Sequence, residues 1–207
     1  MAAGNHLVTS LEQLEVLYGR PSGAAVAKEV ERISKGYRAL IEAAPFVVIA
    51  TAGPEGLDCS PKGDPAGFVR VIDDQTLAIP DRPGNNRLDG MRNLLRDPRI
   101  SLLFLIPGIG ETLRVIGRAS ISIDPELMQS FAVGGKLPRS VLVVHVERIF
   151  FHCSKAIVRS KLWNEATKID RKSLPSTGTI IAEVSGGALG GATYDRDAPE
   201  RIKAMLY

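Results

Sequence analysis

From residue 46 onward the chain consists of short apolar, β-branched runs cut by turn-forming residues. This punctuation limits the fold more than any other feature. Residues 46–51 (FVVIAT) read as a buried strand, and Gly53-Pro54-Glu55-Gly56 as a turn that sends residues 57–60 back antiparallel. Residues 68–72 and 76–79 make a second pair around Asp73-Asp74-Gln75. Residues 99–106 and 112–123 make a third around Pro107-Gly108-Ile109-Gly110, with a bend expected at Gly117. Residues 140–151 form another strand, with Val141, Val143 and His145 on one face, and residues 179–184 read as one more short strand. Turns spaced roughly every eight to twelve residues point to a sandwich or barrel. A doubly wound sheet would need βαβ units instead.

Helical spacing occurs at the ends and in the connections. Ser10 or Thr9 caps a first helix carrying Leu11, Leu14 and Leu17, and Gly19-Arg20-Pro21 stops it. A second run carries Val26, Val30 and Ile33, and a third runs from Tyr37 to Ala44. Residues 88–96 read as a helix with Met91, Leu94 and Leu95 inward. Asp124 and Pro125 open another, and residues 155–163 and 198–206 complete the set. The fold class is therefore mainly β with helices (α+β). Residues 1–35 are expected to form an N-terminal helical arm and residues 36–207 the main domain.

Composition excludes several classes. With 26 basic and 23 acidic residues the net charge is +3, and aromatics are 5%, so neither a basic face nor a basic-aromatic stripe for nucleic acid is apparent. Cys59 and Cys153 form no CxxC pair, and with His6, His145 and His152 they give no zinc spacing. Both cysteines read as small buried residues, and His145 as a core or interface histidine. No signal-peptide pattern and no apolar run of about 18 residues is present, so a cytoplasmic protein without membrane spans is expected.

No catalytic triad, carboxylate pair or HExxH motif is visible. Three segments have the chemistry to hold a flat, phosphorylated ligand. In residues 60–70 (SPKGDPAGFVR), Lys62 sits beside Gly and Pro in a rigid loop with exposed N–H groups; an ordinary solvated hairpin is the other reading. Residues 80–89 (PDRPGNNRLD) bring two arginines and two asparagines to a helix entry, as either an anion site or a capped loop. In residues 151–163 (FHCSKAIVRSKLW), Lys155 and Arg159 share a helix face, suiting an anion or merely solvent. Trp163 could stack on a ring or anchor a core.

Taken in order, these segments resemble the FMN-binding split-barrel family related to pyridoxamine 5'-phosphate oxidase, and most nearly a bacterial subgroup of FMN-dependent enzymes. The matching stretches are the SPKGD loop with Phe-Val-Arg, Pro-x-x-x-Gly-Asn-x-Arg, His-Cys-x-Lys-Ala-x-x-Arg-Ser-x-Leu-Trp and Leu-Pro-Ser-Thr-Gly at 174–178. The resemblance spans roughly residues 35–207. It implies a six-stranded antiparallel split β-barrel with peripheral helices, and a homodimer with FMN at the interface. It further implies an oxidoreductase acting on a small molecule or a nicotinamide electron donor. By position, Arg70 and Val71 would lie along the flavin and Pro80 would border it. Asn85, Asn86 and Arg87 would hold the phosphate. Ser60, Pro61 and Lys62 would approach from the adjoining strand, Thr112 and Arg114 from the other subunit, and Lys155 and Arg159 from the late segment. The oxidases' phosphate-gripping Arg-Lys pair stands here as Asn86-Arg87, and their C-terminal Arg-x-His pattern is missing. The resemblance thus implies flavin binding rather than oxidation of pyridoxamine phosphate. The alternatives are a non-catalytic flavin protein, or a haem or deazaflavin binder.

Overall fold

The structure, a computed structural model, describes residues 6–207. Helix α1 (Leu11–Tyr18) is capped by Ser10, whose hydroxyl accepts the Gln13 N–H; α2 is Gly23–Ala27 and α3 is Lys35–Ala43. Then come β1 (Phe46–Gly53), β2 (Gly56–Gly63), β3 (Arg70–Val71), β4 (Thr76–Asp81), α4 (Asp89–Leu94), β5 (Arg99–Leu105) and β6 (Thr112–Ser122). After α5 (Pro125–Ser130), with Asp124 accepting the Leu127 N–H, β7 (Ser140–His152) completes the sheet. Four α-helices follow, α6 (Lys155–Ser160), α7 (Thr177–Val184), α8 (Gly191–Arg196) and α9 (Ala198–Met205), with two short 3-10 turns, Glu165–Thr167 and Arg171–Ser173, between α6 and α7. Among the described residues no helix is long and apolar enough to cross a membrane.

The expected α+β class holds. The seven strands form one antiparallel sheet in the order β2-β1-β5-β6-β7-β4-β3, and its hydrogen bonding leaves β2 and β3 as open edges. Pro61 lies on edge strand β2, and Pro80 lies where β4 has outrun the two-residue β3. Both are edge positions, which tolerate a missing N–H. The sheet nevertheless wraps one core: Val47 and Ile49 of β1, Leu77 and Ile79 of β4, Leu102 and Phe104 of β5, Leu113 and Val115 of β6, and Val144 and Ile149 of β7 pack together. Helix α3 adds Ile41 and α4 adds Leu94. Each fully buried side chain of this size contributes on the order of 1.5–3 kcal/mol. The predicted bend in β6 is present: the register slips between Ile116 and Gly117, so that Glu147 of β7 is left over.

Several expectations are corrected. Residues 179–184 are helical, not a strand. Their β-branched content suggested a strand, but Ser176 accepts the Thr179 N–H and Asp195 accepts the Gly178 N–H, which caps a helix start. A Cβ on Gly178 would lie 2.4 Å from the Gly191 carbonyl, so the close approach of α7 to α8 requires glycine there. The second helical run ends at Ala27. Val30 instead exchanges both backbone hydrogen bonds with Ile149, because β4 covers only the first half of β7 and leaves the second half an open side. Leu95 is turned outward at 78% exposure, while Met91 and Leu94 hold the inward face of α4. His145 is not a core residue, because the register of β7 turns Leu142, Val144 and Val146 inward and leaves it on the exposed face of the single chain. Both cysteines are exposed, Cys59 on the outer face of edge strand β2. Helix α6 ends at Ser160, where Lys161 adopts a left-handed conformation. Trp163 then donates its Nε1–H to the Ile109 carbonyl at 2.8 Å.

Candidate functional site

Edge strand β2 alternates, and its half-buried residues Asp58, Ser60 and Lys62 face a cleft of about 380 Å3. Phe68 and Pro80 add apolar surface, Pro61 lies at the rim of the cleft, and Asn85 and Arg87 line it from the loop after β4. Six expected residues from two distant segments therefore meet here: Ser60, Pro61, Lys62, Pro80, Asn85 and Arg87. An adjoining hollow of about 430 Å3 shares Lys62, Asn85 and Arg87 with the cleft and adds Asn86, Arg92 and Arg139 over an apolar floor of Leu88, Met91 and Ile121.

The two segments are joined by ion pairs. Lys62 Nζ donates to Asp81 Oδ1. Arg82 Nε donates to Asp64 Oδ2 at 2.8 Å, and its Nη1 donates to the Phe131 carbonyl at 2.8 Å. Asp64 and Arg82 are the most buried pair in the chain's described part, with side chains 4% and 15% exposed. The Tyr207 hydroxyl donates to the other oxygen of Asp64 at 2.6 Å, and this bond holds the phenol above its ordinary pKa. Arg87 pairs with Asp89 at 2.6 Å, and Ser60 Oγ donates to Asp58 at 2.8 Å. The result is a cleft with some apolar surface, many N–H and guanidinium donors, and carboxylates that neutralise most of its cations.

The remaining expected residues lie elsewhere. Arg70 donates to Ser130 Oγ at 2.9 Å and to its carbonyl at 2.6 Å, and it stacks on Phe131 at 4.0 Å, so it clamps α5 instead of lining the cleft. Val71 packs at the edge of the core. Thr112 and Arg114 stand at the start of β6, paired with the end of β7, beyond which α6 carries Lys155 and Arg159 in solvent. These four do not line the cleft of their own chain.

Asp58, Asp81 and Arg139 carry no ligand-facing signal in the sequence, whereas Asp64 reads as either a ligand-orienting residue or a turn cap, and Arg82 as one of the two arginines of the 80–89 anion site. Asp81 and Arg82 lie inside the 80–89 stretch, but their partners depend on how the sheet coils. His152, inside the late motif, keeps a buried Nε2 without a partner. Burial pushes its pKa down, and the charges of Arg114 and then Lys28 push it further.

The family model of pyridoxamine 5'-phosphate oxidase matches residues 33–153, more than half of the 207 residues. No curated protein sequence matches the chain. Among solved structures, HupZ of Group A Streptococcus is similar over 59% of this chain and 95% of its own, at 22% identity and a TM-score of 0.48. General Stress Protein 26 of Bacillus anthracis is similar over 55% and 88%, at 16% identity and a TM-score of 0.42. An FMN-binding protein of Syntrophomonas wolfei is similar over 55% and 82%, at 16% identity and a TM-score of 0.42.

Proposed function

The chain belongs to the pyridoxamine 5'-phosphate oxidase family, and from that membership we propose that it is an FMN-binding flavoprotein, an oxidoreductase acting on a small molecule. The observation that carries this reading is the meeting of residues 60–62, 80, 85 and 87 around one cleft. The donor set fits the group. Phe68 and Pro80 suit the faces of a flat ring system, and Lys62 suits its electron-rich edge. Asn85, Asn86 and Arg87 suit a phosphate. A bound flavin supplies hydride and electron transfer between a nicotinamide or small organic donor and an acceptor. The chain's residues bind it, orient it and exclude water. Lys62 is kept in place by Asp81 and Arg82 by Asp64, so the ring meets donors that are already positioned.

In this reading the coiled sheet is the family's split barrel, and two copies of the chain pair. Thr112, Arg114, Lys155 and Arg159 then serve the cleft of the partner subunit, which accounts for their lying away from their own. Arg70 and Val71 stay at the margin unless the Arg70 clamp on Ser130 opens.

The first measurement is the visible absorption of the purified protein, followed by titration with FMN. A colourless protein that takes up no FMN would remove this reading. Arg87→Ala is expected to weaken FMN binding at least tenfold, about 1.4 kcal/mol. An unchanged dissociation constant would contradict the role given to Arg87. Anaerobic reduction by NADH or NADPH then separates an enzyme from a carrier.

A further inference from the structure

We propose that Arg139, held against Asn86, acts beside Arg87 to make this site select a flavin carrying a terminal phosphate monoester over one that lacks it. The proposal rests on the flavin reading above and adds a residue that neither the motifs nor that reading assigned.

The argument is electrostatic. Lys62 is paired with Asp81, Arg82 with Asp64, and Arg87 with Asp89. Arg92 also leans on Asp89, at 3.9 Å. An anion that engages Lys62 or Arg82 must compete with a carboxylate already there, or leave that carboxylate with a weakened partner; Arg87 and Arg92 share the exposed Asp89, which offsets part of their charge. Arg139 differs. Its Nη1 donates to the neutral Asn86 Oδ1 at 3.1 Å, and among the described residues no carboxylate lies within ion-pair distance of it. A phosphate monoester, carrying about −1.5 to −2 charges near neutral pH, can take the place of that amide oxygen without stripping any carboxylate. The planar guanidinium fork suits two of its oxygens at once.

The backbone holds this arrangement in register. The Arg139 N–H donates to the Asp81 carbonyl at 3.0 Å, next to the pairing of Asp81 with Ser140. Arg139 is therefore fixed to the strand whose Asp81 holds Lys62. On the facing loop Asn86 sits at φ 58, a left-handed conformation that asparagine accepts more readily than most residues. The Arg87 N–H closes the turn onto Asn85 Oδ1 at 3.0 Å. The hollow that Arg139 rims opens into the cleft through Gly84, Asn85 and Arg87. A ligand whose ring lies in the cleft can thus extend its phosphate toward Arg139.

FMN and riboflavin share the ring and differ in the phosphate, so they separate this inference from the flavin reading. Dissociation constants for both are measured on the full chain, on Arg139→Ala and on Arg139→Lys. The unmodified protein is expected to bind FMN more tightly than riboflavin. Arg139→Ala is expected to weaken FMN at least tenfold, about 1.4 kcal/mol, to leave riboflavin unchanged, and to melt at the same temperature without ligand, since Arg139 is exposed. Arg139→Lys is expected to recover part of the loss. The proposal is overturned if Arg139→Ala leaves FMN binding unchanged, weakens both flavins equally, or if the unmodified protein binds riboflavin as tightly as FMN. Failure of the unmodified protein to bind either flavin overturns the flavin reading, and Arg139's role with it.

Discussion

Arg82→Ala is expected to cost about 3 kcal/mol of stability, because it removes the guanidinium from a buried carboxylate. The Asp64 side chain is 4% exposed and has two partners, Arg82 Nε at 2.8 Å and the Tyr207 hydroxyl at 2.6 Å. With Arg82 gone, only the neutral phenol remains to satisfy the charge. The Phe131 carbonyl loses its donor from Nη1 as well. For a chain of this size the loss corresponds to a fall of roughly 6–12 °C in melting temperature. A double variant, Arg82→Ala with Asp64→Asn, is expected to be more stable than Arg82→Ala alone. It removes the charge that the single change strands, and the thermodynamic cycle isolates that term. A single variant melting within about 1 °C of the unmodified protein would show that water reaches Asp64 freely. FMN affinity should fall with stability in Arg82→Ala, because this pair and Lys62–Asp81 join the β2 side of the cleft to the β4 side.

The contrast between Arg82 and Pro80 illustrates how much of the site is readable before the structure. Pro80, Asn85 and Arg87 carry their message locally, in a strand end and a loop of fixed composition, and all three line one cleft. Arg82 lies between them, yet its partner Asp64 is 18 residues away, in a loop after a different strand. Nothing in either segment sets that distance; the coil of the whole sheet does. The same division runs through the fold. Strands β1, β5 and β6 were legible because each is a compact apolar run between turns, and α5 because Asp124 and Pro125 mark a helix start. Val30 was not, because its spacing suits a helix and only the open side of β7 draws it into extended pairing with Ile149. Helix α7 has the composition of a strand, since Thr179, Ile180, Ile181 and Val184 favour strands in general, but the Ser176 cap and the reach of Asp195 from α8 outweigh that preference. His145 and Leu95 illustrate a finer limit, in which the element is readable and the direction of one side chain is not.

Gly117 is the position where a single methyl group should do the most damage to the sheet. A Cβ there would lie 2.0 Å from the His145 carbonyl oxygen and 3.3 Å from Val146 Cα, both backbone atoms of β7 that cannot swing aside. At this point the register shifts so that Ile116 faces Arg148 while Gly117 faces Val146, and Val146 donates its N–H to the Gln75 carbonyl at 2.7 Å. The bulge lets β6 stay paired with β7 along both halves while the sheet turns around its core. Gly117→Ala must push the two strands apart or shift the bulge, and is expected to cost about 3 kcal/mol, the upper end for overpacking a buried site. Gly23→Ala is the matched control: no atom lies within 4 Å of its added Cβ, its φ is not left-handed, and it opens helix α2. That change is expected to be neutral or to stabilise by roughly 0.5–1 kcal/mol through the unfolded chain. Chemical denaturation of both variants checks the pair. If Gly117→Ala unfolds within about 0.5 kcal/mol of the unmodified protein, the strands have room to move and the bulge does not fix the bend. If it unfolds early while Gly23→Ala does not, the turn of the sheet that brings β2 toward β4, and so forms the cleft, depends on the missing side chain of residue 117.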